Sequence, residues 1–229
     1  MKALKVLNGR YGGVVAALVL LSAYSAILSA VRVVMTGSDD YLFLLWNLFL
    51  AWLPLLFAWL LFSRTDDRGL LWSRLNIAYF VLWLLFLPNA LYLVTDFVHL
   101  TGYFDDPQRL FDIVLFATYA VQGILLGCLA LLLVHIRAVQ RFGKYGHLIA
   151  GGALFASGFA IYMGRYLRWN SWDVVINPFG LLFDVSDRVI NPTDHIATFG
   201  TTLLFFSLYS VLYYVIWQFY RLATKQRQR

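Results

Sequence analysis

Residues 110–136 read LFDIVLFATYAVQGILLGCLALLLVHI, 27 positions with Asp112 as the single Asp, Glu, Lys or Arg among them. An α-helix rises about 1.5 Å per residue, so roughly 20 apolar residues cross a hydrocarbon core about 30 Å thick. This stretch is long enough to do so. Working outward from it, comparable apolar runs lie at about 13–35, 41–62 and 73–94 before it, and at 147–167 and 195–220 after it. The composition agrees: 61% of the 229 residues are hydrophobic, 13% are charged, and the mean hydropathy is +0.71. Soluble domains lie near 45–50% apolar and about 25% charged. The expectation is an all-α polytopic membrane protein, one integral membrane domain over residues 1–229 with six transmembrane helices.

The net charge of +6 needs no nucleic-acid partner, because Lys and Arg gather on cytoplasmic loops of membrane proteins. With the amino terminus inside, the inner segments hold 13 of the 18 Lys and Arg residues and the outer segments hold 5 (Arg32, Arg109, Arg165, Arg168 and Arg188). Both termini are therefore expected in the cytoplasm. Lys2, Lys5 and Arg10 precede the first apolar run as they would in a signal peptide. The run is too long for that, and Leu28 spoils the small-residue cleavage pattern, so it reads as a retained span. The lone Cys128 excludes an intrachain disulfide.

Two polar stretches stand out on the expected outer face. In LPNALYLVTDFVHL, residues 87–100, Asn89, Tyr92, Asp96 and His99 recur at three, four and three positions, which on a continuous helix makes one stripe of about 15 Å. In GRYLRWNSWDVVINP, residues 164–178, Arg165, Arg168, Asn170, Trp172 and Asp173 crowd together. If the fifth helix continues, Arg165, Arg168 or Trp169, and Trp172 share one side of it. Polar groups at membrane depth are costly and find partners inside the bundle, and an arginine fork suits a carboxylate. Asp96 or His99 is thus expected to lie within direct or one-water reach of at least one of Arg165, Arg168, Asn170 and Asp173, either as a structural lock or as a ligand site. Tryptophan anchoring and arginine snorkelling at the headgroups are the blander reading.

Asp96 and His99 are the candidate acid and base. A metal is not expected, since zinc would need further ligands. No cofactor is expected either: P-loop, G-x-G-x-x-G, G-x-S-x-G, HExxH and paired CxxC patterns are all missing from the sequence. His195, after Asp194, is the remaining histidine of the outer side, whereas His135 and His147 lie near cytoplasmic helix ends, away from the outer cluster.

The tetrapeptide VINP occurs at 175–178 and again at 189–192. Asn is a favoured N-cap and Pro a favoured first helical residue, so each copy predicts a helix start. The first launches a short helix in the last outer loop, with Leu181, Leu182, Val185 and Val189 opposite Asp184, Asp187 and Arg188, lying in the membrane surface or lidding the outer face. The second launches the sixth span, with Asp194 in its first turn. Asp106 and Pro107 read as the cap of the fourth span. Gly152, Ala156, Ala160 and Gly164, and Gly123 with Gly127, form small-residue stripes. These serve packing within the bundle or, alternatively, a homo-oligomer interface.

The segments LFLPNALYLVTDFVHL and GRYLRWNSWDVVINP resemble the two signature regions of a family of predicted bacterial membrane proteins, domain-of-unknown-function family 1361, over about residues 40 to 215. The resemblance implies a polytopic protein of the bacterial inner membrane and brings no activity. Membrane lipids are the expected partners. Three functions stay open. The outer cluster binds an anionic lipid or envelope-precursor group, or it is a structural or partner-docking feature of a scaffold. In the third, Asn47, Asn76, Asp112 and Gln122 line a small transporter's path.

Overall fold

The computed structural model describes residues 12–64, 73–100 and 107–226, and among these every regular element is a helix. Lys2, Lys5, Arg10, Arg68, Asp106, Arg227 and Arg229, and with them the signal-peptide reading and the Asp106 cap, lie outside the described residues. The chain forms two compact units, residues 1–130 and 131–229.

In the first unit, α1 runs Gly12–Thr36, α2 Phe43–Arg64 and α3 Arg74–Tyr92. Ser73 caps α3 by accepting from the Asn76 backbone N–H at 3.1 Å, which satisfies one of the unpaired donors of a first turn. Helix α1 is built inside out. Its buried face carries Ser25, Ser29 and Arg32 beside Leu18, while Leu20, Ile27 and Val34 are 71%, 60% and 85% exposed. A helix in water would bury the leucines; only an apolar surrounding makes the reverse favourable. Leu44, Leu48, Ala51, Ala90, Leu93, Leu115 and Phe116 form the apolar centre of this unit. Gly123 and Gly127 back onto Ala90, Leu91 and Leu93, so the GxxxG pair does serve packing within the chain.

The third helix departs from expectation. It is α-helical only to Tyr92 and continues as a 3-10 helix over Leu93–His99. Such helices rarely exceed three or four residues, and their i and i+3 side chains eclipse. The polar stripe is therefore not one α-helical face: Asn89 and Tyr92 belong to α3, and Asp96 and His99 to the tighter coil.

Helix α4, Pro107–Phe142, is followed by a 3-10 turn, Gly143–Tyr145, and by α5, Gly146–Leu167. Five segments are long and apolar enough to cross a membrane, one of them the 60-residue stretch Gln108–Leu167 that contains both α4 and α5. Within it the chain doubles back. His135 Nε2 and His147 Nδ1 are 2.9 Å apart, whereas twelve residues of unbroken helix would advance about 18 Å. Gly143 makes the turn in the left-handed region at φ +57°. Gly146 packs so closely that a Cβ there would meet the Ala138 carbonyl carbon at 2.6 Å.

The second unit continues with α6, Asp173–Ile176, α7, Pro178–Ile190, and α8, Ile196–Gln226. Helices α5 and α8 pack at Gly158, whose Cβ would sit 2.6 Å from the Thr202 carbonyl oxygen. The close seam is thus not the stripe expected from Gly152, Ala156, Ala160 and Gly164, of which Gly152 and Ala156 are exposed.

Two further expectations do not hold. Helix α5 ends at Leu167, and Arg168 turns left-handed at φ 61° as its C-cap, so Arg165, Arg168 and Trp172 do not continue one helical face. The first VINP does start a helix: the Asn177 side chain accepts from Gly180 N–H at 3.1 Å and Pro178 opens α7. The second does not. Asn191 is the C-cap of α7, its side chain donating to Asp187 at 2.8 Å. Helix α8 begins at Ile196, so Asp194 precedes that helix and does not belong to its first turn.

Candidate functional site

The two halves of the expected cluster fall in different units. In the first unit, Asp96 is 1% exposed and accepts from Asn47 Nδ2 at 3.0 Å. His99 packs edge-on against Phe43, ring centroids 5.0 Å apart, and its carbonyl accepts from Tyr41 Oη at 3.5 Å. Asn89 donates to the Phe86 carbonyl at 3.2 Å. Tyr92 contributes its carbonyl to Thr95 Oγ1 at 2.7 Å.

The same unit holds a polar spine between α1 and α4. Arg32 Nε donates to Asp112 Oδ1 at 3.0 Å, both side chains nearly covered, and its guanidinium lies 3.9 Å above the Tyr41 ring. One turn further on, Ser29 and the Tyr119 hydroxyl share a bond of 2.8 Å. Next, Ser25 donates to Gln122 Oε1 at 3.2 Å, and Gln122 Nε2 reaches the Leu18 carbonyl at 3.2 Å and Ser22 Oγ. Trp52 Nε1 closes the series on Ser22 at 3.0 Å. Ser22, Ser25, Ser29 and Arg32 recur every three or four residues, as do Asp112, Tyr119 and Gln122 after one longer step. That periodicity was the available signal for this ladder. Asp112, Gln122 and Asn47 are thus committed to internal hydrogen bonds. Burial pushes the Tyr41 hydroxyl above its usual range, the Asp112 carboxylate adding to the effect and Arg32 opposing it.

In the second unit, the backbone N–H groups of Arg168 and Trp169 both point to the Met163 carbonyl, which closes α5. The Arg168 side chain is exposed. Asp173 is held by the Asn170 backbone N–H at 2.6 Å and by Asn170 Nδ2 at 3.4 Å, fixing the turn around Trp172. The segment is tied to α7 by Trp169 Nε1, which donates to Asp184 Oδ2 at 2.7 Å. Arg188, 7% exposed, donates to the Asp184 carbonyl at 2.7 Å. Asp187 Oδ2 lies 2.7 Å from His195 Nε2. The Asn191 and His195 hydrogen bonds hold the Asp187 carboxyl below its usual range, in that order of size.

Helix α7 is therefore inverted in the same sense as α1. Its charged residues bond to neighbouring protein, while Phe179, Leu182, Phe183 and Ile190 are 84%, 62%, 72% and 74% exposed. These positions recur at helical spacing along one face, and Val175 and Ile176 of α6 are exposed as well.

A third arrangement, again in the second unit, has no counterpart in the expected cluster. His135, 3% exposed, shares one hydrogen bond with the Tyr213 hydroxyl at 2.7 Å and another with His147 at 2.9 Å. Trp217 stacks on the His135 ring at 4.2 Å. Beside them lies a cavity of about 380 Å³ between α5 and α8, reaching Arg221. The twelve-residue separation of the histidines conceals the pair in sequence, because only the turn at Gly143–Tyr145 joins them. Among the described residues, no three His, Cys, Asp or Glu side chains converge as a metal site would require.

Apolar helices turned outward over buried polar ladders define an integral membrane protein. Within that class, the family model described as "Protein of unknown function (DUF1361)" matches residues 46–219, and the chain belongs to this family. No curated protein and no solved structure matches it.

Proposed function

We propose that the chain crosses the membrane six times with both ends in the cytoplasm, and that its last outer loop holds the anionic headgroup of a lipid or envelope precursor. The bacterial inner membrane is the compartment this reading implies. The crossing number rests on the reversal at Gly143–Tyr145, which divides the 60-residue stretch Gln108–Leu167 into two spans. The orientation rests on the distribution of 13 inner and 5 outer cationic residues.

The observation that carries the loop's role is the inverted face of α7. Four large apolar side chains open to the surroundings, backed by charges bonded inward, suit a helix lying at the lipid interface. Arg165, in the last turn of α5, and Arg168 then sit at headgroup depth, with Trp172 as an interfacial anchor. A guanidinium offers a phosphate a matching pair of donors. Asn170 and Asp173 shape the turn that presents Arg168. In the first unit, the Asn47–Asp96 hydrogen bond favours a structural role for Asp96 over acid–base chemistry.

Reconstitution of the full chain in phosphatidylcholine nanodiscs, with and without phosphatidylglycerol, tests the proposal. Phosphatidylglycerol should bind saturably, and Arg168→Gly should weaken it about fivefold, the scale of one cation at a lipid surface. Equal binding by the variant, or no preference for phosphatidylglycerol in the parent, contradicts the reading.

A further inference from the structure

From the cavity beside His135 and His147 we infer a second binding site, distinct from the outer loop and built for a phosphate group. The walls are apolar where α5 contributes Ala150 and Leu154, and donor-rich where α8 contributes Ser210, Tyr214, Gln218 and Arg221. Among the described residues no carboxylate lines the space, so a cation finds no counter-charge among them. An anion with several oxygens meets a guanidinium fork, hydroxyls, an amide and an imidazole, the donor set such a group takes. The volume of about 380 Å³ is within the range of small-ligand sites, about 300–1,000 Å³.

The polar wall is held in place from behind. His135 is buried and bonded through both ring nitrogens, to Tyr213 and to His147, and Trp217 stacks on it. If the Tyr213 hydroxyl donates to His135 Nδ1, then His135 donates from Nε2 to His147 Nδ1, and His147 carries its proton on Nε2. In that arrangement His147 presents a donor on its remaining nitrogen. Gly151 supplies the second observation. It lines the cavity within a long helix, where glycine costs about 1 kcal/mol relative to alanine, yet a Cβ there would meet nothing within 4 Å. Among the described residues no protein neighbour fills that space, which stays open to an occupant of the cavity. Such an occupant is either a soluble phosphate compound or the phosphate of a lipid headgroup.

The test uses the full chain in phosphatidylcholine nanodiscs carrying Arg168→Gly, which weakens the outer loop about fivefold, so that variants in the cavity report on the cavity and failure of one proposal leaves the other standing. Two probes are titrated: inorganic phosphate, and phosphatidylglycerol added to the disc. One of them should bind saturably. Gly151→Leu, which places a bulky side chain in the cavity, and Arg221→Ala should each weaken it at least tenfold. Gly152→Leu makes the same helix change one residue on, at an exposed position with open space around it, and should leave binding unchanged. Binding of inorganic phosphate identifies a soluble source, and binding of phosphatidylglycerol alone a lipid source. The inference is overturned if neither probe binds, or if Gly151→Leu binds like Gly152→Leu.

Discussion

Arg168 carries the sharpest consequence at the scale of single residues. It is the one residue other than glycine among those described with positive φ, 61°, a conformation that glycine adopts without penalty and most side chains do not. Arg168→Gly should therefore raise stability by roughly 1 kcal/mol while weakening headgroup binding. Unfolding titrations and lipid binding on the same preparation check this, and a loss of stability would show that the side chain is structural. The Arg32–Asp112 pair predicts the opposite pattern. Asp112→Leu leaves a buried guanidinium without its carboxylate and should cost about 3–5 kcal/mol, whereas Arg32→Met with Asp112→Leu should recover most of it. Asp187 gives a pH dependence. Its carboxyl is held low by Asn191 and His195, so the contribution is present above the ordinary carboxylate range and fades as pH falls through the folded value. Carboxyl carbon resonances should show Asp187 titrating higher in Asn191→Ala than in the parent.

For the helices, legibility depended on how local each signal was. Asn177 and Pro178 start α7 as expected because a cap is decided within four residues. The same four letters at 189–192 end that helix instead, since Asp187, four residues earlier, offers Asn191 and His195 an acceptor. Asn177→Ala should fray α7 at a cost of about 1 kcal/mol, seen as faster amide exchange at Gly180. Asn191→Ala should leave the start of α8 unchanged. The glycines of α5 divide the same way. Gly158→Ala forces a Cβ against the Thr202 backbone and should destabilise, while Gly152→Ala should stabilise by up to about 1 kcal/mol. Apolar length announced the long helices, but spacing alone did not reveal which small residue forms a seam. Nor did it foretell that the coil tightens after Tyr92, where polar side chains replace the run of leucines.

For the molecule as a whole, composition identified a membrane protein because apolar surface must face lipid somewhere, and α1 and α7 expose it on their outer faces. The histidine cavity could not be read beforehand: its parts come from positions 135, 147, 217 and 221, joined only by a chain reversal. That reversal is the hinge of the account, because it places the Gly143–Tyr145 turn and the α7 loop at opposite ends of α5. The most direct test labels single cysteines in a Cys128→Ala background with an impermeant maleimide. Lys144 and Thr193 are both exposed and make suitable positions. Thr193→Cys should react in intact cells, and Lys144→Cys only after the membrane is opened. Labelling of both from the same side would contradict the six-crossing arrangement.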